Sequence, residues 1–166
     1  MRTSFITDKE EIRRIINGCN VCFVGIIEED GSPYVIPMNF AWYEDDILLH
    51  SGPHGKHIHL IEKDNRACIT FCSDRQLMYQ HPDVACSYSM QSQSVLCKGR
   101  IEFIENMDEK ETLIKVFMSH YSDREFKISA PAIRNVKVWR LRVETVTAKS
   151  FGQNFRNQGS KEVKDR

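Results

Sequence analysis

Between Asn20 and Ser51 the chain carries three apolar, β-patterned runs joined by turns too short to hold a crossover. The first run covers residues 20–27, with Val21, Phe23 and Val24, and Glu28-Glu29-Asp30-Gly31-Ser32 closes it with the hairpin signal Asp30-Gly31. The second covers 33–43, and Asp45-Asp46 turns the chain into the third, Ile47–Ser51. Three successive hairpin-linked strands exclude a doubly wound parallel sheet, which needs a crossover between each pair. The middle run has one row that is wholly apolar (Tyr34, Ile36, Met38, Phe40, Trp42) and a second that is mostly so (Val35, Pro37, Asn39, Ala41). Such a strand is covered on both faces, as in a small barrel. Pro37 cannot donate to a ladder and marks an edge, a bulge or an opening. Asn39 follows it, where an amide serves either a ligand or a local backbone bond.

The rest of the chain adds helices around this β-rich centre. Thr7 and Glu10 have capping-box spacing, and Ile12, Ile15, Ile16 and Cys19 recur with helical period, so a helix is predicted over 8–18 with Gly18 as its stop. A short helix is predicted over Lys56–Lys63, then strands over Arg66–Cys72 and Ser94–Ile104, the latter interrupted by Gly99. Residues 74–93 show no period and read either as a functional loop or as an element without a signature. Asp108-x-x-Glu111 opens a helix carrying Leu113, Val116, Phe117 and His120, and Lys137–Lys149 alternates as a last strand. One domain over 1–150 is expected, with a polar, disordered tail over 151–166. The order α-β-β-β-α-β-loop-β-α-β implies a mainly β chain with added helices, folded as a small antiparallel barrel.

Composition narrows the class of partner. In 166 residues, 23 Lys and Arg balance 23 Asp and Glu, so no basic field draws nucleic acid or an anionic membrane. No apolar stretch approaches the ~20 residues that cross a bilayer. The start, Met1-Arg2-Thr3-Ser4-Phe5, has no apolar signal core, and a cytoplasmic location is expected. The six cysteines then read as free thiols. Cys19-x-x-Cys22 with Cys68-x-x-x-Cys72 could form a four-thiolate metal site, but the flanking Val21, Phe23, Ile69 and Phe71 place Cys22, Cys68 and Cys72 in strands, as small apolar residues. No metal is expected.

Chemistry concentrates in Leu49-His50-Ser51-Gly52-Pro53-His54-Gly55-Lys56-His57. A strand ends in a hydroxyl, a Gly-rich turn follows, and a helix starts at an ammonium and an imidazole. A helix N-terminus offers unpaired N–H groups and partial positive charge, which suits a phosphate. The bland alternative makes Lys56 a solvated helix residue. The histidines could instead bind metal, yet His57 and His59 are two apart on a helix and do not share a face. Met38, Met78, Met90 and Met118 read as filler rather than redox ligands.

These residues resemble the flavin-phosphate loop of the FMN-binding split barrels, the superfamily of the pyridoxamine 5′-phosphate oxidases. The nitroimidazole-resistance branch is the nearer likeness. Its marks are Val35-Ile36-Pro37-Met38-Asn39-Phe40, a strand ending in His50-Ser51, and Ser94-Val95-Leu96-Cys97-Lys98-Gly99, over roughly residues 4–150. The resemblance implies a six-stranded antiparallel split β-barrel with flanking helices, homodimeric, with FMN at the subunit interface. It implies that Lys56 pairs with the FMN phosphate, and that Leu49, His50 and Ser51 line the ribityl and phosphate end. His54 replaces a usual hydroxyl, and Gly55 stands where many oxidases have a second base, with His57 as a helper. Pro37, Met38 and Asn39 pass along the isoalloxazine, and Gln93 and Ser94 approach from a neighbouring strand. Gln91-Ser92-Gln93 is neutral where that branch carries an aromatic and a basic residue. Trp139 and Tyr88 are candidate walls for a substrate or nicotinamide stacked on the flavin, or equally core or interface packing. The implied activity is an FMN-dependent oxidoreductase, with NAD(P)H as a possible donor and His50 as the candidate catalytic group. The alternatives are a haem- or flavin-binding sensor and a structural dimer with a degraded site.

Overall fold

The structure is a computed structural model that describes residues 3–152, apart from the side chain of Asp74. The tail expected to be disordered lies, from residue 153 onward, outside the described residues. The elements are β1 (Thr3–Ile6), α1 (Lys9–Asn17), β2 (Cys22–Ile27), β3 (Pro33–Met38), β4 (Ala41–Tyr43), β5 (Asp46–Ser51), α2 (Lys56–Lys63), β6 (Arg66–Tyr79), β7 (Tyr88–Ile104), α3 (Met107–Ser119), α4 (Ala130–Arg134) and β8 (Lys137–Phe151). The strands pair in the order β3-β2-β6-β7-β8-β5-β4, with β1 added on β8. This is the antiparallel, mainly β class expected, with eight strands rather than six.

The two extra strands have physical causes. β1 is four residues long and largely exposed, so it has no apolar alternation to betray it. The run 33–43 is broken at Asn39-Phe40, which leaves β3 and β4 as separate strands. β3 ends the strand order, which explains how it tolerates both Pro33 and Pro37. Caps also shift. Asp8, not Thr7, caps α1 and accepts from the N–H of Glu11 at 2.7 Å. Asn106 caps α3 by accepting from Asp108 and Glu109, each at 3.0 Å. Helix α4 was not predicted; Ser129 caps it, with Pro131 in its first turn.

The described residues fall into two compact units. One comprises residues 20–70 and 96–146. Its core includes Val24, Phe40, Leu48, Ile69, Trp139 and Leu141, each at most 1% exposed. Burying a side chain of this size contributes about 1.5–3 kcal/mol. Against this core α3 lays Leu113 and Phe117 on Ala41, Leu48, Ile104 and Val138. Lys110, also buried on α3, donates to the carbonyl of Val136 at 3.3 Å and so satisfies its ammonium. Arg140 on β8 is buried and reaches Glu109 at 3.4 Å. A Cβ at Gly99 would lie 1.8 Å from the carbonyl oxygen of Arg142, so β7 and β8 approach closely only because no side chain stands there.

The other unit comprises residues up to 19, 71–95 and those from 147. It holds α1, with Ile15 and Ile16 buried, and the β1–β8 pairing from Thr3↔Phe151 to Ile6↔Ala148. Residues 74–93, without a period in the sequence, are the end of β6, a tight connection and the start of β7. Ser87 Oγ accepts from the N–H of His81 at 3.2 Å within that connection, and the rings of Tyr79 and Tyr88 stack at 4.8 Å across its base.

The cysteines behave as small core residues where they are buried. Cys22 and Cys97 are wholly buried, and burial pushes the Cys97 thiol up to about 12. Cys72 is exposed, which departs from the packed position expected for it. Among the described residues no three His, Cys, Asp or Glu side chains are placed to share a metal ion.

Candidate functional site

β5 carries the chain to the site. Ile47, Leu48 and Leu49 are buried, with Leu49 opposite Trp139 on β8, whereas His50 and Ser51 emerge part-way. Leu49 is therefore a core residue, and only its backbone can face a bound group. His50 packs edge-on against Phe117 with centroids 4.5 Å apart, and burial holds its imidazole below the usual histidine range. It is thus a neutral ring at neutral pH. Ser51 Oγ donates to the carbonyl of Gly52 at 2.7 Å.

The loop then turns at Gly55, where φ is +138° and ψ 168°. L side chains rarely adopt this backbone, and a Cβ there would come 2.9 Å from Cε1 of His57. A second basic residue cannot occupy Gly55 without remaking the turn, which explains the departure noted in the sequence. The Gly55 carbonyl accepts from the N–H groups of Ile58 and His59, so α2 begins here, with no side chain capping it. The N–H groups of Lys56 and His57 consequently lie at the open end of the helix. Ile58, Leu60 and Ile61 are buried and fix this end in place.

His57 turns inward. Its ring lies 5.2 Å from that of Trp139, tilted by 33°, and burial lowers its pKa. Among the described residues neither His57 Nε2 nor Trp139 Nε1 has a hydrogen-bond partner, although both atoms are buried. Trp139 is 0% exposed and packs beneath the loop, which is the core alternative rather than the substrate wall. Tyr88 belongs to the other unit, in the stack with Tyr79.

Lys56 projects outward. Its Nζ donates to Glu28 Oε1 at 2.7 Å and stands 4.8 Å from the centre of the Tyr34 ring. His54 is exposed on the same loop. From Tyr34, β3 runs past Val35 and Pro37, both exposed, to Met38 and Asn39. Asn39 Nδ2 donates to the carbonyl of Asn20 at 3.2 Å. Directly after it, Tyr121 Oη accepts from the N–H of Phe40 at 2.8 Å and lies 2.8 Å from the Phe40 carbonyl oxygen. That one hydroxyl takes the place of a strand partner for a residue that has left the ladder.

The site residues of β3, β5, the loop and α2 thus share one unit, joined through Lys56 and Tyr34 at one end and Trp139 and His57 beneath. Gln93 and Ser94 belong to the other unit, where Gln93 Nε2 donates to Glu11 at 3.0 Å and its Oε1 accepts from Arg14 at 3.3 Å. Glu28, Tyr34 and Tyr121 were not foreseen. Glu28 precedes Lys56 by 28 residues with no local pattern to join them. Tyr121 did have a signal, since it is an aromatic four residues after Phe117, just past the C-cap of α3, and the two rings lie 5.5 Å apart.

Comparison with known proteins now decides the family. Residues 8–150 match the pyridoxamine 5′-phosphate oxidase family. The chain belongs to that family. Among solved structures, this family member is similar to a candidate 5-nitroimidazole antibiotic resistance protein from Bacteroides thetaiotaomicron. The identity is 46%, over 90% of this chain and 87% of that one, with a TM-score of 0.82. A flavocytochrome from Azotobacter vinelandii shares 21% identity over 90% of this chain and 70% of its own, with a TM-score of 0.77. An FAD- and haem-binding protein from Mycobacterium smegmatis shares 13% over 90% and 73%, with a TM-score of 0.79. These last two show the fold alone. No curated protein matched the chain. Among the described residues no helix is long and apolar enough to cross a membrane.

Proposed function

We propose that the chain is an FMN-binding flavoprotein that passes electrons to a small acceptor. The observation that carries the reading is the loop at the head of α2. Gly55 adopts a backbone closed to other residues, no side chain caps the helix, and Lys56 stands at its first position. Open N–H groups, partial positive charge and an ammonium in one place suit a phosphate monoester. A Cβ at Gly55 would run into the His57 ring, so the missing side chain lets the turn bring the helix head and His57 together. Lys56, Ser51 and the N–H groups of Lys56 and His57 would hold the phosphate, with His54 as a further donor. Pro37, Met38 and Asn39 would support the ring system, and His50 would present a neutral imidazole beside it. Gln93 and Ser94 remain proposed contacts.

Bound FMN would supply hydride and single-electron chemistry; the residues named hold and orient it. A homodimer with flavin at the subunit interface, and NAD(P)H as electron donor, complete the proposal. The likeness to a candidate nitroimidazole resistance protein at 46% identity supports a nitro compound as acceptor.

Titration of the apo-protein with FMN, followed by flavin fluorescence, tests the reading. Saturable binding is expected, weakened roughly ten- to a hundredfold by Lys56→Ala, the loss of a charge-assisted hydrogen bond. Oxidation of NADH or NADPH stimulated by a nitroimidazole should follow. Folded protein that binds no FMN would overturn the reading, and a Soret band in place of a flavin spectrum would replace it with haem binding.

A further inference from the structure

Lys56 already has an anion. Glu28, in the turn that joins β2 to β3, presents Oε1 2.7 Å from Lys56 Nζ, and that hydrogen bond is the largest cause of the raised lysine pKa. The Glu28 side chain is only 28% exposed, against 53% for Lys56. The turn itself is well held. Its backbone closes from Glu28 N–H to the Ser32 carbonyl at 2.8 Å, and Asp30 accepts from the N–H and the hydroxyl of Ser32 at 2.9 and 2.6 Å. The next residue, Glu29, pairs with Lys63 and with His59 Nε2, at 3.1 Å for the histidine, further along the same helix. Two adjacent carboxylates thus strap the hairpin turn along α2, one of them on the cation at the helix head. Tyr34 lies against that same ammonium.

Resting on the flavin reading above, we propose that Glu28 is a built-in rival of the cofactor phosphate: it occupies Lys56 until a phosphate dianion takes the ammonium from it. An ammonium has three donors and can touch both anions, but a carboxylate beside a dianion costs Coulomb energy. What Glu28 gives in return, the orientation of a half-exposed lysine, is worth little. The net effect of Glu28 is therefore to weaken phosphate binding, by the cost of giving up its pair with Lys56.

The test compares FMN with riboflavin, which has the same ring and ribityl chain without the phosphate. Glu28→Gln should tighten FMN roughly two- to fivefold, the range of an exposed ion pair, and leave riboflavin unchanged. The gain should vanish in a Lys56→Ala background and shrink as salt screens the charges. A Glu28→Gln protein that binds FMN no more tightly than wild type overturns the inference and leaves the flavin reading intact. Equal tightening of FMN and riboflavin also overturns it, since that would report a looser site. Failure of both proteins to bind either flavin removes the flavin reading and this inference together.

Discussion

The two ends of β3 are held by opposite physics. At Tyr34 the strand meets exposed charge: Lys56, Glu28 and the strap of Glu29 along α2. At Asn39-Phe40 it meets one half-buried hydroxyl, Tyr121 Oη, which serves both backbone groups of a residue that is 0% exposed. Ion pairs in water exchange partners easily and contribute little to stability. A hydroxyl that satisfies buried backbone groups has no replacement when it is lost. The end proposed to receive the phosphate is thus adaptable, and the end proposed to support the ring is fixed.

Substitutions at each end test this contrast, and the largest effect on stability should come from Tyr121→Phe. It removes the hydroxyl that serves the N–H and C=O of Phe40 and should cost about 1–3 kcal/mol in urea unfolding. A loss below about 0.5 kcal/mol would mean that Phe40 finds other partners, and the two ends would no longer differ. Gly55→Ala comes next. It forces a side chain onto a φ of +138° and against His57, for a cost of about 1–2 kcal/mol together with weaker FMN binding. If FMN affinity stays unchanged, the turn is not part of the phosphate site.

A smaller effect is expected with pH. Burial lowers the folded-state pKa of His50 and His57 below the ordinary 6.5. Between 6.5 and those lowered values the unfolded chain binds protons that the folded chain refuses. Stability is therefore full above pH 6.5 and declines as pH falls through that window. Denaturation midpoints measured from pH 7.5 to 5 should show this slope, and His50→Leu should flatten it; an unaltered slope assigns it to other groups. The smallest effect belongs to the exposed end, where Glu28→Gln should leave the urea midpoint unchanged within error while altering FMN affinity. A clear destabilisation would show that the strap is structural.

The sequence showed most of the fold because its strong signals are local. Asp30-Gly31, the alternation of 33–43 and the apolar period of α1 each fix an element through neighbours in the chain. It failed at β1, and at the ends of β6 and β7, where Ser73, Arg75, Gln76 and the Gln91-Ser92-Gln93 stretch carry little β-branched or aromatic character. The site divides the same way. The sequence alone marked the loop around Gly55, since glycine and a helix start are local features. The inward turn of His57, the burial of Trp139, the Glu28–Lys56 pair and the hydroxyl of Tyr121 all join residues far apart in the chain, where no periodicity reaches.

The prolines of β3 have one more consequence. A strand accepts proline where its N–H would point away from its partner, and Val35 shares that parity with Pro33 and Pro37. Of three successive outward positions, only Val35 keeps a donor. A foreign strand that tried to add itself there would find two of the three outward donors missing. The β3 edge is thereby a poor template for runaway stacking.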